Sequence, residues 1–119
     1  MSDEWPPPAR PPATFDDFAA LDVRAGRVVA VDPFPEARHP AWKLTVDFGP
    51  TVGVLRTSAQ VTNYPADALL GRTVIGAVNL GTKRIAGFES QFLVLGTLDA
   101  EGLVTLLEVA GAEPGDPVA

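Results

Sequence analysis

The chain contains no cysteine, which excludes a disulfide framework, thiolate catalysis and thiolate metal sites. Such a composition fits a reducing compartment. Histidine occurs once, as His39 in a Pro-flanked loop, so a second histidine for a metal pair is lacking. No apolar run approaches the ~18 residues of a membrane span, and no membrane insertion is expected. The opening Met-Ser-Asp-Glu-Trp-Pro-Pro-Pro is acidic and Pro-rich, the opposite of a secretory signal. A cytoplasmic location is the expectation. Enzyme signatures are also missing: no Gly-rich phosphate loop, no Gly-x-Ser-x-Gly and no His-Glu-x-x-His. Asp16-Asp17 is better explained as negative charge in the first turn of a helix. Neither catalysis nor a cofactor is expected.

Excess positive charge is lacking too. The formal net charge is −6, which at first argues against a nucleic-acid partner. The acids are unevenly spread. Residues 18–112 hold nine Asp or Glu against eight Lys or Arg, so most of the excess lies toward the two ends. The body is nearly neutral and can carry a local basic patch. The length, 119 residues with 46% hydrophobic and 20% charged, bounds the chain to one domain with an independent core.

What is present divides into an arm, a domain and a tail. Residues 1–13 contain five prolines and read as a flexible, partly polyproline-like arm. The domain is assigned to residues 14–112. Thr14, with Asp17 three residues on, resembles a capping box for a short helix carrying Phe15, Phe18 and Leu21 on one face. Asp22 to Asp32 reads as a long strand with a bend or bulge at Gly26. Lys43 to Phe48 alternates, with Leu44, Val46 and Phe48 facing inward. Val52 to Thr57 is the next strand. Thr62 to Gly71 reads as a brief helix capped by Asn63. Strands follow at Thr73 to Val78, Gln91 to Leu98 and Leu103 to Val109. Residues 113–119, acidic and rich in Pro and Gly, form a loose tail. Short strands with glycine at the bends, and a helix between the third and fourth strands, predict an all-β fold. It is an OB-fold five-stranded barrel with short N-terminal and inter-strand helices and extra C-terminal strands.

Two strands, Thr73 to Val78 and Phe92 to Leu95, are apolar on both faces. One face fills the barrel and the other needs cover. The N-terminal helix or a second subunit is expected to provide it, and a homodimer is the reading adopted.

Between those strands stands Asn79 to Ser90, with Lys83 and Arg84 in a turn bounded by Gly81 and Gly87. Two cations held there suit a backbone-phosphate contact, although a solvated basic turn is the plainer alternative. Arg38, His39 and Lys43 near the second strand, Arg56 on the third, and Ser58, Gln60 and Asn63 after it converge on the OB ligand face in such a barrel. Trp42, Tyr64 and Phe88 offer stacking surfaces or apolar contact for a partner.

Three segments carry a resemblance: Phe34-Pro-Glu-Ala-Arg-His-Pro-Ala-Trp-Lys-Leu-Thr-Val-Asp-Phe-Gly49, Ser58-Ala-Gln-Val-Thr-Asn-Tyr64 and Lys83-Arg-Ile-Ala-Gly-Phe-Glu-Ser90. Together they resemble the CsaA family. That family is related to the tRNA-binding domains of Trbp-type proteins, of some methionyl-tRNA synthetases and of the EMAP cytokine precursor. The resemblance implies an OB fold, a homodimer, tRNA-binding ancestry, and a chaperone-like role with unfolded preproteins or peptides in protein export. It implies that tRNA or other RNA is a partner, and the export machinery another. Ser58, Ala59, Gln60, Asn63, Lys83, Arg84 and Ser90 fall in the motifs of the tRNA-binding family. Two departures stand out. Ser90-Gln-Phe-Leu93 replaces a Ser-x-Gly-Met turn, which favours the CsaA branch, and Gly81-Thr82 replaces prolines before the Lys-Arg pair.

Overall fold

The structure, a computed structural model, describes residues 4–119. Residues 1–3 of the Pro-rich arm lie outside the described residues, and residues 4–13 are irregular and exposed. Helix α1, Phe15–Ala19, begins at Thr14 with the expected reciprocal cap: the Asp17 N–H donates to the Thr14 hydroxyl, and the Thr14 N–H donates to the Asp17 carboxylate at 2.8 Å. Its end is tied down by Asn79, whose side chain donates to the Ala20 carbonyl and accepts from the Asp22 N–H. α1 buries no residue, and Phe15, Phe18 and Leu21 are 78%, 45% and 45% exposed. It does not cover the two-sided strands.

Strand β1, Val23–Pro33, pairs with β4, Thr73–Ala77, along its first half and with β2, Trp42–Asp47, along its second. β3, Val54–Ala59, follows a helical turn, α2, at Gly49–Val52. A one-turn helix, α3, Ala66–Leu69, precedes β4. With β7, Leu93–Val94, these strands form an antiparallel sheet in the order β3-β2-β1-β4-β7. The sheet curls until β3 meets the segment leading into β7. The Gln91 N–H donates to the Arg56 carbonyl at 2.7 Å, the Arg56 N–H to the Gln91 side chain at 2.9 Å, and the Thr57 hydroxyl to the Phe92 carbonyl at 2.7 Å. The result is the nearly closed five-stranded barrel of an OB fold, as expected.

Alternation decides what fills it. Leu44, Val46 and Phe48 point inward and are fully buried, joined by Val28, Leu69, Val74 and Phe92. Burying each such side chain stabilises the fold by roughly 1.5–3 kcal/mol. Gly26 does not make the β1 bulge, which falls between Val28 and Ala30. Instead a methyl group at Gly26 would stand 2.6 Å from Val46 and 2.7 Å from the Phe48 ring. One at Gly76 of β4 would stand 2.9 Å from Phe92 and 3.0 Å from Phe48. The two glycines let one aromatic ring approach two strands closely, and Phe48 meets Phe92 edge-on at 4.9 Å.

The outer face of β1 and β4 buries Val23, Ala25, Ile75 and Ala77, packed against Leu95 and Ala112. The tail expected to be loose helps to make this layer. The Ala25 N–H donates to Asp116, and the Gly115 and Val118 N–H groups donate to Ala25 and Val23. The tail thereby occupies the edge of β1 that β2 leaves unpaired. The strand expected across Gln91 to Leu98 is broken. After β7 the chain leaves the barrel and forms β8, Gly96–Leu98, which pairs with β9, Val104–Leu106. Gly96 marks the break because a side chain there would meet the Thr105 carbonyl at 2.6 Å. The brief helix is shorter than expected and starts after Pro65; Asn63 does not cap it.

Replacing Gly26 or Gly76 by alanine is expected to cost about 1–3 kcal/mol through overpacking of the Phe48 seat. A denaturant titration would report this as a lower midpoint at unchanged slope.

Candidate functional site

The turn carrying Lys83 and Arg84 is a β-hairpin. β5, Lys83–Ile85, pairs with β6, Phe88–Ser90, in the register Lys83 with Ser90, Arg84 with Glu89 and Ile85 with Phe88. Ala86 (φ 47°) and Gly87 (φ 81°) form its two-residue turn, which needs positive φ at both positions. Lys83 and Arg84 are exposed. Arg84 lies 3.3 Å from the Glu89 carboxylate, both ends in solvent, so the pair is weak and leaves most of the guanidinium free to engage other anions.

Phe88 is buried, not a stacking platform. Its ring meets Phe34 edge-on at 5.4 Å. The Arg56 guanidinium stands 4.7 Å from the Phe88 centroid, and the Lys43 ammonium stands 4.7 Å and 5.3 Å from Phe34 and Phe88. In the β2–β3 register Lys43 opposes Ser58 and Thr45 opposes Arg56, so both cations rise from one face. Aromatic faces hold them in place.

Ser90 is also buried. Its hydroxyl lies 2.9 Å from the Thr57 hydroxyl and accepts from the Ser58 N–H at 3.2 Å. It fastens the hairpin to β3. Asn63 donates to the Val104 carbonyl and steadies β9. Trp42 donates its indole N–H to the Tyr64 carbonyl, the Tyr64 hydroxyl accepts from the Leu106 N–H, and Arg72 lies over the Tyr64 ring. These two half-buried aromatics are committed to the fold through these contacts.

Arg38, His39, Ser58, Gln60 and Lys83 come together, whereas Lys43, Arg56 and Arg84 line neither of the two recesses they form. A groove of about 490 Å³ runs between the end of β3, the base of the hairpin and β7. Ser58, Gln60, Lys83 and the inner Ser90 contribute to it, with Leu80, Ile85 and Leu93 among its apolar walls. A recess of about 110 Å³ adjoins it through Ser58, Gln60 and Ile85, and Arg38 and His39 stand on its far side. Neither is lined by a carboxylate. The apolar walls were missed in the sequence because Leu80 and Ile85 flank the cations without periodicity. Leu93 belongs to the run already noted as apolar on both faces.

Comparison with known proteins agrees with this fold. A family model described as "Putative tRNA binding domain" matches residues 23–117. A methionine–tRNA ligase of Chloroherpeton thalassium is 34% identical over 105 residues, which is 87% of this chain and 15% of that enzyme. The chain thus spans less than a fifth of the curated relatives it matches. Among solved structures, a CsaA chaperone protein from Picrophilus torridus superposes with a TM-score of 0.86 at 44% identity, covering 90% of this chain and 99% of that one. A CsaA chaperone from Bacillus anthracis superposes with a TM-score of 0.85 at 40% identity, covering 92% and 100%.

Thr57→Val removes the hydroxyl that serves both Ser90 and the Phe92 carbonyl. The variant is expected to lose about 1–3 kcal/mol because it strands buried partners. Hydrogen exchange should also quicken in β5 and β6 more than in β1 and β2.

Proposed function

The chain belongs to the CsaA branch of the tRNA-binding domain family, and from that premise we propose that it is a non-catalytic, homodimeric protein that binds the tRNA or RNA backbone through the β5–β6 hairpin. The observation that carries this reading is a contrast of charge. The molecule is acidic overall. Yet Lys83 lines the groove and Arg38 the adjoining recess, neither of which has a carboxylate in its lining, while Lys43 and Arg56 stand over Phe88, and Arg84 follows Lys83 on the hairpin. Such a patch engages phosphates through charge-assisted contacts and counterion release.

Affinity for tRNA should therefore fall with salt. Lys83→Ala/Arg84→Ala should weaken binding and reduce the slope of log K against log salt by about 2. A flat salt titration, or an unaltered slope in the double variant, contradicts the reading.

The dimer accounts for α1. Phe15, Phe18 and Leu21 lie exposed on a five-residue helix too short to persist without packing. A second copy supplies the missing cover. Sedimentation should give twice the chain mass, and Phe15→Ser/Phe18→Ser should halve it while the barrel stays folded.

A second reading has an observation of its own. The apolar walls of the groove suit an extended segment of an unfolded preprotein, the client of a chaperone acting in the cytoplasm with the export machinery. On this reading RNA binding is ancestral, and slowed aggregation of an unfolded client is the assay.

A further inference from the structure

We propose that the groove beside β3 receives one unpaired nucleobase of a structured RNA, with Gln60 pairing to the base edge while Lys83 and Arg38 hold the flanking phosphates. This inference rests on the RNA-binding reading above and assigns a subsite within it.

The argument starts from the seam of the barrel. Arg56, Ser58 and Gln60 alternate along β3 and turn their main-chain groups to the edge away from β2. At Arg56 both groups are taken up by Gln91. At Ser58 the N–H is taken up by the Ser90 hydroxyl. At Gln60 closure has ended. Among the described residues, neither the main-chain groups of Gln60 nor its side-chain amide makes a hydrogen bond. One residue further on, the Val61 carbonyl is already engaged by the Tyr64 N–H as the chain turns away. The open edge is therefore short, made of the Ser58 carbonyl, met only by the neighbouring Thr57 hydroxyl at 3.5 Å, and the two main-chain groups of Gln60, and it faces a groove walled by Leu80, Ile85 and Leu93.

Three physical considerations select the guest. The groove volume, about 490 Å³, lies in the ordinary range for small-ligand sites. An apolar side chain laid over Gln60 would remove water from unpaired donors and acceptors without replacing their bonds. An extended peptide pairing with a strand edge needs a longer row of free groups than the Ser58 carbonyl and the Gln60 main chain provide. A nucleobase meets both demands. Its faces fit aliphatic walls, and its edge carries adjacent donors and acceptors that match a glutamine amide and a main-chain pair. The rim complements the rest of a nucleotide. Lys83 lines the groove, Arg38 lines the recess that shares Gln60 with it, and no carboxylate lines either.

The test uses the full chain and a short RNA hairpin with one bulged 2-aminopurine, alongside the same hairpin with the bulged position abasic. The intact hairpin should bind about tenfold more tightly than the abasic one, with a change in 2-aminopurine fluorescence on binding. Gln60→Ala folds normally because Gln60 supports nothing in the fold. It should lose that preference while keeping the salt slope of the parent. Lys83→Ala should weaken both hairpins alike. Equal affinity for the two hairpins with a normal salt slope overturns the nucleobase subsite and leaves the phosphate reading standing. Absence of binding to either hairpin overturns both. Undiminished preference in Gln60→Ala, or an unstructured peptide that occupies the groove while the bulged hairpin keeps its full affinity, also overturns the subsite.

Discussion

Phe48 lies with its ring against Gly26 of β1 and Gly76 of β4 and meets Phe92 edge-on at 4.9 Å; the spacing at which the barrel closes follows from that contact. Any side chain at either glycine would lift the ring and push the two strands outward. A tightly packed interior has no slack to absorb the shift. The contact also reaches the proposed binding surface. Phe92 follows the β5–β6 hairpin by two residues, so the ring that fills the barrel fixes where the hairpin springs from it. A core glycine thus controls the position of exposed cations on the same barrel.

The second constraint is polar. Thr57 and Ser90 are the buried polar residues of the described chain, and each satisfies the other. Their hydroxyls bridge β3 to the hairpin where main-chain pairing alone would leave a gap. A paired hydroxyl in a low-dielectric interior is worth more than one in water, and a broken pair costs correspondingly more. Ser90 belongs to the motif that relates this chain to tRNA-binding domains. Its role here is to hold the β5–β6 hairpin, in which Lys83 lies opposite it in the register.

The alternation of Leu44, Val46 and Phe48 was enough to orient β2, and glycine at strand bends with a helix before β4 was enough for the barrel. The N-terminal cap was equally plain, because Thr14 and Asp17 act within one turn. What escaped the sequence depends on contacts between distant residues. Nothing in Glu113 to Val118 announces a strand partner; the tail pairs because β2 leaves part of β1 unmatched. Gln91 to Leu98 reads as one apolar run, but Gly96 transfers it to β9. The site was legible by residue type and not by direction. Arg38, Ser58, Gln60 and Lys83 do converge, whereas Phe88 and Ser90 turn inward and Trp42, Tyr64 and Asn63 brace neighbouring segments. Exposure is set by packing, and residue type carries little information about it.

On the proposed RNA-binding reading, an acidic chain must hold its cations where its own acids do not cancel them. Lys43 and Arg56 meet this need through aromatic faces, which attract a cation without neutralising it. A carboxylate partner would fix the same side chains but would offer a ligand a net charge near zero. Phe34 and Phe88 leave the full charge of both cations available, with part of the cost of ordering two long side chains already met in the free protein. Arg84 shows the alternative arrangement, with Glu89 at 3.3 Å. Of the hairpin's two cations, Lys83, with no carboxylate lining the groove it faces, presents the less compensated charge. The proposed phosphate contact therefore belongs at the groove beside β3, where the barrel seam is open, and not at the tip of the hairpin.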